Sequence, residues 1–149
     1  MATEALALLL ASLAQAASPP PASHWLDCSS MRTPEGKVIF IDQMALVFFE
    51  SGSARVDERG AAILDAFAGY VQAPPHCHLI IVGHADRVGP DGANLELSRR
   101  RAKAVEAYLR ARGVTVPITI GAHGDTRPLV ETAEGTAEPR NRRVELYVG

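Results

Sequence analysis

Residues 79–112 read LIIVGHADRVGPDGANLELSRRRAKAVEAYLRAR, and this stretch decides the fold. Its first four residues are apolar without interruption, which predicts a β-strand covered on both faces. A turn-rich segment leads from the strand into an amphipathic helix, predicted at residues 94–112 and ended by Gly113. One face of that helix carries small and apolar residues at helical spacing: Ser98, Ala102, Val105 and Leu109.

The sequence on either side continues the alternation of strands and helices. Strands are predicted at residues 38–41, 46–49, 116–120 and 143–148, and a further helix extends from its N-cap at Asp57 to residue 72. Strands that alternate with helices of this length predict an α/β (α+β) two-layer sandwich. Ligands in such sheets collect beyond the carboxyl ends of parallel strands, where Asp86 is expected to lie.

One carboxylate and one guanidinium are predicted to meet at this strand end. A helical wheel of about 100° per residue places Arg101 about 60° from Ser98, while its neighbours Arg99 and Arg100 point away from the sheet. Of these three arginines, only Arg101 can therefore reach the rim of the sheet. Opposed to Asp86, it suits a ligand that carries an ammonium and a carboxylate on the same carbon.

Five segments in order resemble the OmpA-like domain family. They are GHADxxG at 83–89, NxxLSxxRAxxV at 94–105, YL at 108–109, GxxG at 121–124 with Pro128, and NRRVE at 141–145. The resemblance covers about residues 38 to 149. It implies a βαβαβ topology, a mixed parallel and antiparallel sheet, and helices packed on one face.

The resemblance also implies a non-enzymatic domain that binds peptidoglycan. In OmpA-like domains, the aspartate and the arginine of these motifs grip the free end of meso-diaminopimelate in the stem peptide. Carried over by position, Asp86 takes the ammonium and Arg101 takes the carboxylate as a bidentate fork. Five further residues belong to the predicted ligand-binding set. Asn94 and Leu97 shape the pocket. Asn141, together with Arg142 or Arg143, supports it from the last strand.

Other polar clusters predict no metal and no cofactor. The segment at residues 76–78, HCH, lacks the spaced ligand pairs of zinc sites, and residues 86–92 lack the alternating ligands of a calcium loop. No serine lies in a nucleophile elbow, which argues against a hydrolase. Two alternatives stay open: a cell-wall hydrolase, and a structural module that acts on an envelope protein through the exposed Arg99 and Arg100.

Composition limits the partners and the number of domains. The 149 residues fit one domain with a tail, and the hydrophobic content of 47% is enough for a core. A net charge of −2 argues against nucleic acid as the main partner. The expected partner is therefore the wall polymer, with an additional envelope protein left open.

The first residues indicate export. Residues 1–17 are predicted to be a signal peptide, because a short apolar run precedes the A-x-A form at residues 14–16, although Glu4 is atypical. That run is too short to span a membrane, which takes about 20 residues. A proline-rich linker is predicted at residues 18–36 and the domain at residues 37–149. The expected location is the periplasm, with outer-membrane association left open, and the exported Cys28 and Cys77 are either paired or two free thiols.

Overall fold

The computed structural model describes residues 30–32, 38–40, 44–71 and 77–149. A 3-10 turn, Pro139–Asn141, precedes the last strand. The strands and helices in this part of the chain are, in order, β1 (Ser30–Arg32), β2 (Val38–Phe40), β3 (Met44–Phe48), α1 (Glu58–Tyr70), β4 (Leu79–Gly83), α2 (Asp91–Ala111), β5 (Ile118–Ala122) and β6 (Arg143–Val148).

The main sheet has four strands in the order β3-β6-β4-β5. Strand β6 is antiparallel to both β3 and β4, whereas β4 and β5 are parallel. Strands β3, β4 and β5 therefore end at the same edge of the sheet. The predicted two-layer α/β sandwich with a mixed sheet is confirmed. Strands β1 and β2 form a separate antiparallel pair.

The core lies between the sheet and the two helices, which pack on one of its faces. The predicted stripe of α2, from Ser98 to Leu109, is fully buried. It meets Leu79 and Ile81 of β4, and α1 adds Leu64. Each fully buried aliphatic side chain of this kind contributes about 1.5–3 kcal/mol, so the stripe fixes α2 on the sheet.

Strand β4 is covered on one face only, and the prediction of a strand covered on both faces was wrong. Its burial alternates, because Leu79, Ile81 and Gly83 face the helices while Ile80 is 39% exposed. Both described helices lie on the same side of the sheet, so an uninterrupted apolar run here does not mean double coverage.

Prolines set two boundaries that differ from the predicted ones. Helix α2 begins at Asp91 rather than residue 94, because the extended Pro90 is its N-cap. Strand β5 begins at Ile118, directly after Pro117, rather than at residue 116. Asp57 caps α1 as predicted, and its carboxylate accepts a hydrogen bond from the Gly60 amide at 2.8 Å.

Several predictions concern residues outside the described part of the chain. The predicted signal peptide at residues 1–17 lies outside it, and the predicted linker at 18–36 is described only at 30–32, where it forms β1. Cys77 is buried and takes part in a disulfide, while Cys28 lies outside the described residues. Neither described helix has the length and the apolar content needed to cross a membrane.

Candidate functional site

The site forms at the edge where β3, β4 and β5 end. Gly83 is the last residue of β4, and a Cβ atom built there would lie 1.8 Å from the Ser98 carbonyl oxygen of α2. The absence of a side chain at Gly83 therefore allows the helix backbone to touch the strand. This approach brings Arg101, one helical turn after Ser98, to the end of the sheet.

Arg101 joins two backbone segments, the one after β3 and the one after β4, through three hydrogen bonds of its guanidinium. Its Nε donates to the Ser53 carbonyl at 2.8 Å, its Nη1 to the His84 carbonyl at 3.0 Å, and its Nη2 to the Glu50 carbonyl at 3.0 Å. The side chain is fully buried, and its Cζ lies 5.4 Å from the centre of the Phe49 ring. Burial lowers the pKa of Arg101 to about 10, against the opposing charge of Asp86, so the group remains cationic at neutral pH.

Asp86 is buried and has a cation partner within the chain. Its Oδ2 lies 3.1 Å from Arg142 Nη1 and also accepts a hydrogen bond from the Glu138 amide at 3.3 Å. Arg142 in turn donates from Nε to the Phe49 carbonyl at 2.9 Å. Arg142 therefore contacts the predicted ligand-binding carboxylate directly, rather than only supporting the pocket.

The two predicted asparagines hold loops around this edge. Asn141 is fully buried and exchanges two hydrogen bonds of 2.8 Å with the backbone of Val130. Asn94 donates from Nδ2 to the Gly89 carbonyl at 3.3 Å and to Asp125 Oδ2 at 3.4 Å. Both amide side chains fix the loops that surround Asp86.

The other two predicted residues make no described hydrogen bond or ion pair with the Asp86 carboxylate. Leu97 is half-buried on α2. Arg143 is buried on the sheet face opposite the helices, where its guanidinium contacts Glu145 at 2.6 Å. The structure thus brings Asp86, Arg101 and Arg142 together, and it places Arg143 in a different environment.

Sequence reasoning missed the backbone of the segment that follows β3. The carbonyls of Phe49, Glu50 and Ser53 receive the guanidinium hydrogen bonds of Arg101 and Arg142. Every residue has a backbone carbonyl, so residue types do not show which carbonyls accept these hydrogen bonds. The available signal was the direction of β3, which ends at the same edge as β4.

A cavity of about 390 Å³ lies beside this group. Phe49, Glu50, Arg59 and Arg142 are among its lining residues, whereas Asp86 and Arg101 are not. Arg142 therefore contacts both the cavity and the Asp86 carboxylate.

The buried His84, at the same strand end, predicts a loss of stability in mild acid. Burial, reinforced by the charge of Arg143, lowers the pKa of His84 to about 4. The unfolded chain takes up the proton near the ordinary histidine pKa of about 6.5, before the folded state does. We therefore expect the free energy of unfolding in urea to fall by about 2 kcal/mol between pH 7 and pH 5.

The variant His84→Gln is the control for this pH effect, since it removes the titrating ring from the same position. Its free energy of unfolding should change less with pH than that of the parent. Equal pH dependence in both proteins would contradict the assignment to His84.

Comparison with known proteins finds one family along most of the domain. The model of the OmpA family matches residues 48–142. The chain is 36% identical over 115 residues to outer membrane protein A of Bordetella avium, covering 75% of this chain and 57% of that protein. It is 39% identical over 88 residues to peptidoglycan-binding protein ArfA of Mycobacterium tuberculosis, covering 58% of this chain and 27% of that protein. The chain thus spans little more than half of the first relative and about a quarter of the second.

A solved structure shows the same fold. The crystal structure of the peptidoglycan-associated lipoprotein from Burkholderia pseudomallei superposes with a TM-score of 0.64 at 28% sequence identity. The match covers 70% of this chain and 89% of that chain. The mixed sheet with two helices is therefore an arrangement that this chain shares with a known domain.

Proposed function

The chain belongs to the OmpA family, and from this premise we propose that its site binds peptidoglycan non-covalently in the cell envelope. The support comes from relatives that are named for peptidoglycan binding or association. The observation that carries the proposal is the pair of oppositely charged, buried groups, Asp86 and Arg101, at one edge of the sheet. We further propose a periplasmic location, in which the domain tethers or organises the Gram-negative envelope.

The proposed ligand group is the free end of meso-diaminopimelate in the stem peptide. Its ammonium would bind the carboxylate of Asp86, whose Oδ2 already holds a cation, Arg142 Nη1, at 3.1 Å. An ammonium that replaces or joins this guanidinium keeps the buried carboxylate neutralised, as burial of a charge requires. Asp86 is therefore suited to a cationic ligand.

The ligand carboxylate is proposed to bind Arg101. A guanidinium has five N–H groups, and three atoms of Arg101 each commit one to a backbone carbonyl. One N–H remains on Nη1 and one on Nη2, which is the pair that a bidentate carboxylate uses. Because Arg101 has no exposed surface, the ligand would reach it only after neighbouring side chains move, and we propose that Arg142, which lines the cavity and pairs with Asp86, is one of them.

The proposed chemistry is recognition without bond formation. Asp86, Arg101 and Arg142 are held by hydrogen bonds and charge, and a peptide end would be bound through the same forces. We accordingly propose a binding domain rather than an enzyme. Release of muropeptides from purified sacculi by the protein would instead indicate a cell-wall hydrolase.

The test is calorimetric titration of Asp86→Asn with meso-diaminopimelate. Asparagine keeps the size of the side chain and one acceptor oxygen, for either the Val88 amide, which donates to Oδ1, or the Glu138 amide, which donates to Oδ2, but it removes the charge that holds the ammonium. We expect the affinity to fall at least about tenfold, since hydrogen bonds to charged groups contribute about 1.5–3 kcal/mol.

Asp91→Asn is the matched control, because it removes one carboxylate from an exposed position in the first turn of α2. It should bind like the parent. Free lysine, which lacks the second carboxylate of diaminopimelate, should bind more weakly to the parent. Parental affinity in a folded Asp86→Asn protein would rule out the proposed role of Asp86. Loss of envelope function in Arg99→Gln/Arg100→Gln but not in Asp86→Asn would favour a protein partner.

A further inference from the structure

We propose a second ligand site, on the sheet face opposite the helices, where Arg143, Arg127 and His84 bind a carboxylate monoanion. A cavity of about 300 Å³ lies there. Its lining includes the three proposed ligand-binding residues and also His123, Glu145 and Tyr147. The inference does not rest on the proposed binding of peptidoglycan, because none of these side chains contacts the Asp86 carboxylate among the described residues.

Arg143 lines this cavity and carries a buried donor without a described partner. Its Nε donates to Glu145 Oε1 at 2.8 Å, and its Nη2 contacts the same oxygen and donates to the Arg127 carbonyl at 3.3 Å. These contacts hold the guanidinium in place with 4% of the residue exposed. Its Nη1 is buried and has no hydrogen-bond partner among the residues that the structure describes. Buried N–H groups in folded proteins are almost always hydrogen-bonded, so we expect this one to have an acceptor.

His84 presents a second buried polar group to the same space. The residue is 2% exposed, neither ring nitrogen makes a well-aligned hydrogen bond within the described ranges, and the backbone of Arg127 is a weak partner that raises its pKa against the effect of burial. Its Nε2 lies 3.7 Å from Glu145 Oε1, which is beyond hydrogen-bond distance. The ring of His123 lies 5.5 Å away, between centroids. One ligand that accepts from both His84 and Arg143 would satisfy both side chains.

Charge selects a monoanion as that ligand. Arg127 and Arg143 supply two positive charges, and Glu145 supplies one negative charge that is already engaged by Arg143 and the Tyr147 hydroxyl. Burial lowers the pKa of both His84 and His123, so the rings are neutral at pH 7. The surplus of one positive charge matches one carboxylate.

The polar groups of the site indicate a carboxylate rather than a metal ion. Across residues 30–32, 38–40, 44–71 and 77–149, no group of three His, Cys, Asp or Glu side chains is placed to hold a metal. A carboxylate has two acceptor oxygens, which match the donors on Arg143 and His84. The cavity has room for more than this group, so the carboxylate can come from a free small acid or from the carboxyl end of a peptide.

Nuclear magnetic resonance of the imidazole nitrogens tests the proposal on the full chain. The probes are sodium acetate, N-acetyl-D-alanine and its C-terminal amide, titrated in chloride-free buffer. We expect saturable shifts of His84 and His123 with both acids and none with the amide. Tighter binding of N-acetyl-D-alanine than of acetate would assign the site to a peptide end, and the reverse would assign it to a free acid. A response to the amide equal to that of the acids, or no saturation, would overturn the proposal.

Arg127→Gln provides a variant that should fold, because the side chain is exposed while its backbone carbonyl keeps the contact to Arg143. The affinity for acetate should fall about tenfold, as expected for one lost charge-assisted contact. Arg99→Gln removes an exposed arginine from the far side of the domain and should leave acetate binding unchanged. Unchanged affinity in Arg127→Gln would count against the site.

The pH dependence and Asp86→Asn separate this site from the first one. The groups around His84 are Arg143, Arg127, His123, Glu145 and Tyr147. A bound anion adds a negative charge beside the ring and so favours its protonated form. Acetate should therefore bind more tightly at pH 5.5 than at pH 7. Asp86→Asn should retain these shifts even if it loses diaminopimelate. Loss of the acetate response in a folded Asp86→Asn protein would show that the two sites are one.

Discussion

Replacing Arg101 with methionine should lower the free energy of unfolding by about 2–5 kcal/mol, because buried backbone acceptors that lose their donor cost about 1–3 kcal/mol each. Methionine fills much of the same volume but donates no hydrogen bond. The carbonyls of Ser53 and His84 would then lose their guanidinium donor in the interior, while the Glu50 carbonyl would keep the Ser53 amide. Asp86 would lose the attraction of Arg101 but keep its ion pair with Arg142. Urea denaturation followed by circular dichroism measures the change.

Arg100→Met is the matched control, because Arg100 is exposed on the same turn of α2. Its effect should stay within about 0.5 kcal/mol. A loss below about 1 kcal/mol in Arg101→Met would contradict a structural role for the buried guanidinium. The result also decides how binding data are interpreted, since an Arg101 variant that fails to bind a ligand has to be shown to be folded first.

Gly83→Ala should destabilise the domain by about 3 kcal/mol or more, or prevent folding altogether, because it overpacks a close backbone contact. The new Cβ would lie 1.8 Å from the carbonyl oxygen of Ser98 and 2.7 Å from its carbonyl carbon. Both atoms belong to the backbone of α2 and cannot rotate away. The helix would have to move from β4, and Arg101 would lose its reach to the His84 carbonyl. Thermal unfolding of the purified variant measures the effect.

Gly92→Ala makes the same substitution at a position in the first turn of α2 where a Cβ meets no atom within 4 Å. Alanine suits a helix better than glycine, so this variant should be more stable than the parent by about 0.5–1 kcal/mol. Opposite signs for the two alanine variants are the expected pattern. Equal stability of Gly83→Ala and the parent would mean that the strand and the helix do not touch as the structure shows.

Periodic and positional signals in the sequence predicted the fold well. The helical spacing of Ser98 and Leu109 located the buried face of α2, and the confirmed sandwich followed from the alternation of strands with helices. The same helical wheel selected Arg101 from three consecutive arginines, and Arg101 is the one whose guanidinium reaches the strand ends. Its role in ligand binding stays a prediction.

These signals do not predict which residues that are distant in sequence come into contact. Arg142 and Asp86 are separated by 56 positions, and only the folded chain shows that they form an ion pair. The sequence likewise placed Arg143 with Arg142, yet successive residues at the start of a strand point to opposite sides. The single coverage of β4 was missed because an uninterrupted apolar run has no alternation to show which face is open.

Arg142 gives the buried carboxylate of Asp86 a cation from within the chain. In the proposed binding mode, a cationic ligand would therefore enter by exchange with an intramolecular competitor, whose effective concentration is set by the fold that holds Arg142 beside Asp86. Such a competitor would limit the affinity of the proposed site. It would also provide a route for release, because the guanidinium would re-form the ion pair with Asp86 as the ligand leaves. An attachment that depends on this exchange with Arg142 would be reversible.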